Sequence, residues 1–238
     1  MTGPPKGSPA RSAPQARRSP AQRLARARLY LCSPDRPDLE DFIAACISGG
    51  VDVVQLRDKQ LEARQLLARA RRAASTCSAL GVPFVLNDRP DLAADCGADG
   101  VHLGQDDAPV SLARRLLGPD VLIGLSTHSS AELAAALEEP VDYLSVGPVV
   151  ATPTKPGRPG TGVDYVAQAH GLLDGAPGAG ATMPFFVTGG VTPETVPGLV
   201  AAGARRFVVV RYLCAAADPA SAARRLADAI DQATGPGN

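Results

Sequence analysis

The 238 residues are 45% hydrophobic and 20% charged, proportions of a folded globular chain that exclude the disordered, collagen-like and membrane classes. Basic and acidic side chains number 24 each, no apolar run approaches the roughly 20 residues of a membrane helix, and no signal-like apolar segment follows the N-terminal arginines. A cytoplasmic protein with no membrane partner is expected.

Lys6, Arg11, Arg17, Arg18, Arg23, Arg26 and Arg28 stand in the first 28 residues without an acid, and the remaining 17 bases against 24 acids leave a net charge of −7. A basic stretch rich in Pro, Ala and Ser cannot bury enough apolar surface to fold. Residues 1–27 are therefore read as a disordered tail, with no nucleic-acid partner assigned to it, and residues 28–234 as one domain. Cys32, Cys46, Cys77, Cys96 and Cys214 are odd in number and form no C-x-x-C pair, which argues against both a disulfide framework and a zinc site.

From Leu29 onward, short runs of Val, Ile, Leu and Phe alternate with longer stretches in which Ala and Leu recur at helical spacing. The predicted strands are Leu29–Cys32, Val51–Leu56, Pro83–Asn87, Gly100–Leu103, Val121–Leu125, Val141–Val146, Pro184–Thr188 and Phe207–Val210. Between them lie helical stretches such as Leu61–Leu80, and Ser129–Leu137 with serines suited to an N-cap. Strands with few polar residues inside are expected where both faces are covered. Eight of them with helical crossovers predict an α/β fold closed as a single (β/α)₈ TIM barrel rather than an open sheet. Gly171–Ala181 reads as a flexible insertion on the side where helices return, away from the chemistry.

In such barrels the functional residues sit at the C-terminal ends of strands and on the loops that follow. The unusual polar residues fall there: Gln55, Arg57 and Lys59, then Asn87 and Asp88, then His102 to Asp107, then Ser126 to His128. Thr152 to Lys155, Gly189-Gly190 and Val210-Arg211 follow the last three strands. Asp88 and Asp107 can converge as the hard oxygen ligation that Mg²⁺ favours when it shares substrate phosphates, although both also suit turns and caps. Arg57, Lys59 and Lys155 supply cations for phosphate oxygens at the same mouth. Gly189-Gly190 and Val210-Arg211 lie where this fold often binds phosphate on backbone N–H groups. Thr152-Pro153-Thr154-Lys155 has the hydroxyls, charge and proline of a closing loop. His102 and His128 are assigned structural or supporting roles, and no protein nucleophile or redox fingerprint is visible.

Gln55-Leu56-Arg57-Asp58-Lys59, Asn87-Asp88, Gly100-Val101-His102-Leu103-Gly104-Gln105-Asp106-Asp107, Thr152-Pro153-Thr154-Lys155 and Gly189-Gly190-Val191 stand in one order from about Leu29 to Leu226. Together they resemble the thiamine-phosphate synthase family. The resemblance implies a Mg²⁺-dependent transferase of thiamine biosynthesis that condenses two small phosphorylated substrates. It assigns Gln55, Leu56, Arg57, Asp58, Lys59, Asn87, Ser126 and Lys155 to an aminopyrimidine and its pyrophosphate, with Arg57, Lys59, Ser126 and Lys155 catalytic. Asp88 and Asp107 would bind the metal, and Thr152, Pro153, Thr154, Gly190, Val210 and Arg211 a thiazole phosphate. Arg211 stands where many relatives carry serine, which removes a hydroxyl contact while leaving the backbone one. A thiazole-tautomerase branch of the same fold and a catalytically silent phosphate-binding barrel are the alternatives. The sequence leaves the oligomeric state open, a homo-oligomer included.

Overall fold

A computed structural model describes residues 18–151, 159–173 and 183–235. Eight parallel strands close a barrel in chain order: β1 (Leu29–Ser33), β2 (Val53–Leu56), β3 (Phe84–Asn87), β4 (Gly100–Leu103), β5 (Leu122–Thr127), β6 (Tyr143–Val146), β7 (Phe185–Thr188) and β8 (Phe207–Val209). Each expected strand is present, with Gly100–Leu103 unchanged and the ends of the others moved by at most two residues. Val51, expected at the start of β2, instead ends a turn in which its N–H donates to Cys46 O at 3.1 Å. Val210 leaves β8 with φ −119° and ψ −84° to open the short helix Arg211–Cys214.

The two-residue period of a strand sorts the side chains between two cores. Leu29, Leu31, Val54, Leu56, Leu86, Val101, Ile123, Leu144 and Val187 point outward into the layer shared with the helices. Tyr30, Val53, Val85, Leu122, Tyr143 and Phe186 fill the barrel interior. Full burial of one such large side chain stabilises the fold by about 1.5–3 kcal/mol. The same alternation carries upward, so the residue pairs Cys32↔Gln55 and Ser126↔Ser145 face each other across neighbouring strands.

The helical stretches also form where their periodicity placed them. Ala63–Leu80 buries Leu66, Ala70, Ala73, Ala74 and Cys77 along one face and ends at Gly81 in the left-handed conformation. Ser129 caps Ser130–Ala136 by accepting from Glu132 N. Two expectations need correction. Residues 18–27, assigned to the disordered tail, carry a helix at Pro20–Leu24 that closes the barrel bottom with buried Leu24 and Ala27, because a capping box and two apolar side chains outweigh the basic composition. Gly171 belongs to the helix Gly162–Leu173, whereas residues 174–181 of the expected insertion lie outside the described residues, as do residues 1–17 of the tail.

None of the five cysteines is in a disulfide and four of them are buried; burial pushes the Cys46 and Cys77 thiols up to about 12. No helix of the described residues is long and apolar enough to cross a membrane.

Gly124 on β5 leaves room for the Tyr143 ring: a Cβ there would collide with three of its ring carbons. Gly124→Ala is therefore expected to destabilise the barrel by about 1–3 kcal/mol, read as a lower midpoint in chemical denaturation. An unchanged midpoint would mean that the ring can move at little cost.

Candidate active site

The C-terminal strand ends open into a cavity of about 740 Å³. One wall is polar and charged: Gln55, Arg57 and Lys59 from the end of β2, Asn87 and Asp88 from β3, Gly104 to Asp107 after β4, and Ser126 from β5. The facing wall carries Gly189 to Thr192 after β7 and Val208 to Tyr212 at the end of β8. The expected residues Gln55, Arg57, Lys59, Asn87, Asp88, Asp107, Ser126, Gly190, Val210 and Arg211 are thus brought together.

Leu56 and Asp58 do not line this cavity. The strand period turns Leu56 outward, where it is 1% exposed among the helix-facing side chains. Asp58 instead accepts the N–H groups of Gln60 and Leu61 at 2.8 and 3.1 Å and of Asp35 at 3.4 Å, which ties down the loop carrying Lys59. Thr152, Pro153, Thr154 and Lys155 lie outside the described residues.

Asp88 has φ 62°, the left-handed region that a non-glycine residue rarely occupies. Its N–H donates to His102 O at 2.9 Å, fixing the backbone, and its carboxylate reaches Lys59 Nζ at 2.8 Å. Such a conformation costs about 1–3 kcal/mol and persists where the surroundings impose it. The turn aims the Asp88 side chain at Asp107, to which it is hydrogen-bonded, while Asp107 Oδ2 accepts the Gly104 N–H at 2.7 Å.

Burial, followed by the facing Asp107 carboxyl, pushes the Asp88 carboxyl above the usual range, and Lys59 pulls it back. Burial acts the same way on Asp107, but hydrogen bonds from Asp88 and the Gly104 N–H outweigh it and hold Asp107 below that range. Two carboxylates so close cannot both ionise without a compensating cation.

The cavity floor holds polar side chains that the sequence reading passed over. Tyr30, Cys32 and Ser145 line it beside His102. They sit at strand positions whose inward direction is legible only once the register is known. His128 is held on the rim by Glu132, whose Oε2 accepts both the His128 N–H and Nδ1 at 2.8 Å. Arg225 is a further cation at the edge, reaching Tyr212 Oη at 3.2 Å from the helix Pro219–Thr234.

On the opposite wall, Gly189 and Gly190 have φ 92° and 76°. A Cβ on Gly189 would meet Pro148, and one on Gly190 would meet Val150. These glycines therefore serve the packing of the chain after β6 as well as the approach of a ligand to their backbone.

A family model described as thiamine monophosphate synthase matches residues 29–213. The chain belongs to that family. A thiamine-phosphate synthase of Mycolicibacterium smegmatis is 47% identical over 233 residues, covering 92% of this chain and 99% of that protein. The one of Thermobifida fusca is 48% identical over 210 residues, covering 86% and 93%. Among solved structures, thiamine phosphate pyrophosphorylase from Pyrococcus furiosus superposes with a TM-score of 0.77 at 22% identity, covering 90% of this chain and 100% of that one, a likeness of fold.

Asp88→Asn keeps a side chain that tolerates the left-handed backbone and removes the carboxylate repulsion. Its unfolding free energy without metal should match the parent within about 1 kcal/mol or exceed it, since the Lys59 pair it loses is half exposed and worth little. A larger loss, measured by urea titration, would mean that the carboxylate itself holds the loop.

Proposed function

We propose that the chain transfers an aminopyrimidinylmethyl group from pyrophosphate to the ring nitrogen of a thiazole ethyl phosphate, or of its carboxylated form with loss of CO₂, giving thiamine phosphate and pyrophosphate. The observation that carries this reading is the convergence of Arg57, Lys59, Asp88 and Asp107 on one wall of a single cavity, with a glycine-rich backbone wall opposite, in a chain of this family.

The bond that breaks joins the pyrimidine methylene carbon to a pyrophosphate oxygen, and pyrophosphate leaves with the electron pair. The electron-rich aminopyrimidine ring stabilises the positive charge left on the methylene. The thiazole nitrogen then donates its lone pair to that carbon. No protein nucleophile is needed, so the chain contributes charge and position. Arg57 offers a planar fork to the phosphate oxygens and Lys59 a compact ammonium. Lys155 adds a third cation to the departing pyrophosphate. Gln55, Asn87 and Ser126, each less than 8% exposed, orient the pyrimidine. Gly190, Val210 and Arg211, with Thr152, Pro153 and Thr154, take the thiazole phosphate, mainly on backbone N–H groups.

Asp88 and Asp107 fit Mg²⁺: the donors are hard oxygens, and Lys59 offsets part of their mutual repulsion. The described residues contain no cluster of three metal-ligating side chains, which suits an ion that keeps waters and takes its other oxygens from the substrate pyrophosphate. When bound, Mg²⁺ neutralises charge growing on the leaving group. With the metal held by the two carboxylates, Lys59, paired with Asp88 here, would be available to the pyrophosphate. Both substrates are small and charged, and the site of action is the cytoplasm.

The experiment is an assay for thiamine phosphate and pyrophosphate with both substrates and Mg²⁺, omitting each in turn. Product that requires all three is expected. Product without Mg²⁺ sinks the metal assignment, and thiazole turnover alone points to the tautomerase branch. Asp107→Asn should depress turnover most at limiting Mg²⁺ while leaving the fold intact. Arg57→Ala should raise KM for the pyrimidine substrate about 10-fold or more, the loss of one charge-assisted contact, and leave the thiazole KM nearly unchanged. Equal weakening of both would contradict the division of the cavity into two walls.

A further inference from the structure

The reaction above makes no use of a chain of hydrogen bonds that crosses the cavity floor. Cys32 Sγ donates to Gln55 Oε1 at 3.0 Å, and Gln55 Nε2 donates to Tyr30 Oη at 3.0 Å. Tyr30 Oη and Tyr143 Oη are 3.0 Å apart, Tyr143 Oη lies 3.1 Å from His102 Nδ1, and His102 Nε2 lies 2.9 Å from Ser126 Oγ. Its links come from β1, β2, β4, β5 and β6. Gln55 near one end and Ser126 at the other both line the cavity.

The direction of every link follows from the first. Burial pushes both phenols well above their ordinary range, so each keeps one hydrogen to give. Tyr30 Oη receives the Gln55 N–H and so gives its hydrogen to Tyr143. Tyr143 receives that and gives its own to His102 Nδ1. An accepting Nδ1 leaves the ring hydrogen on Nε2, which donates to Ser126 Oγ. Reversing the Gln55 amide would reverse the whole series, because a phenol holds only one hydrogen and each neighbour must match it.

We infer that His102 is a positioning residue, held as the Nε2–H tautomer by this chain, and that it makes the pyrimidine contacts of Gln55 and Ser126 a single donor–acceptor pattern. Ser126 accepts from the imidazole, so its own hydrogen is not given to the ring. A substrate edge that matches Gln55 in one amide orientation then meets Ser126 in one hydroxyl orientation, which selects the aminopyrimidine against rings with the polarity exchanged. The Ser126 carbonyl is anchored separately by Gln105 Nε2 at 2.7 Å, leaving the hydroxyl as the part that His102 sets. The pyrimidine contact rests on the proposed reaction; the tautomer does not.

The chain has three histidines, so two-bond ¹⁵N–¹H correlation of ¹⁵N-labelled protein resolves each ring, with His102 assigned by its loss in His102→Asn. The expected result is the Nε2–H form of His102, turning to a mixture of tautomers in Tyr143→Phe and in Tyr30→Phe. Tyr143→Phe should also lower kcat about tenfold or more, the usual scale for removing a partner that orients a functional imidazole, with the thiazole KM unchanged. An Nδ1–H ring in the parent, or a folded Tyr143→Phe with parental tautomer and kcat, overturns the inference. If Tyr143→Phe does not fold, the parent tautomer and Tyr30→Phe decide it. A parent that forms no thiamine phosphate defeats the proposed reaction while the tautomer is still read.

Discussion

Everything at the cavity depends on the alternation of side chains along parallel strands that close on themselves. One residue in two points inward, so the lower part of each strand contributes packing and the upper part contributes chemistry from the same face. Tyr30 and Cys32 on β1, Val53 and Gln55 on β2, and Leu122 and Ser126 on β5 follow this rule. A slip of one residue would send Gln55 outward and bring Leu56 into the cavity. The register is resisted on both sides, because the outward set is buried under helices and the inward set fills the barrel.

Closure also makes polar groups in the barrel interdependent. Water cannot satisfy the phenols of Tyr30 and Tyr143, which are about 1% exposed or less, so each must find a protein partner. The resulting chain runs from a weak thiol donor to a serine hydroxyl at the cavity. Its rigidity comes from the same desolvation that would penalise any missing link.

Strain and like charge are concentrated at the mouth instead. The left-handed backbone of Asp88 and its approach to Asp107 both raise the energy of the folded chain. Each is tolerated because the barrel beneath imposes the turn. A cation and a pyrophosphate would relieve the electrostatic part, so the ligand-bound state stabilises an arrangement that the protein alone holds at a cost.

The fold was legible because its signals are local: eight apolar runs, helical spacing between them and caps such as Ser129. The polar residues at strand ends were legible for the same reason, since this topology puts every strand end at one mouth. What local pattern did not resolve was the direction of side chains that depends on distant neighbours. Leu56 and Asp58 lie within a motif of cavity residues yet face the helices and the loop. The Pro20–Leu24 helix looked like tail because its composition hides that Leu24 and Ala27 plug the barrel. The sequence by itself determined the elements, their order and the chemistry gathered at one end. Only the tertiary structure decided which side chains meet, the Asp88–Asp107 pair and the Tyr30–Tyr143–His102–Ser126 series among them, because register and barrel closure bring together residues that no local periodicity relates.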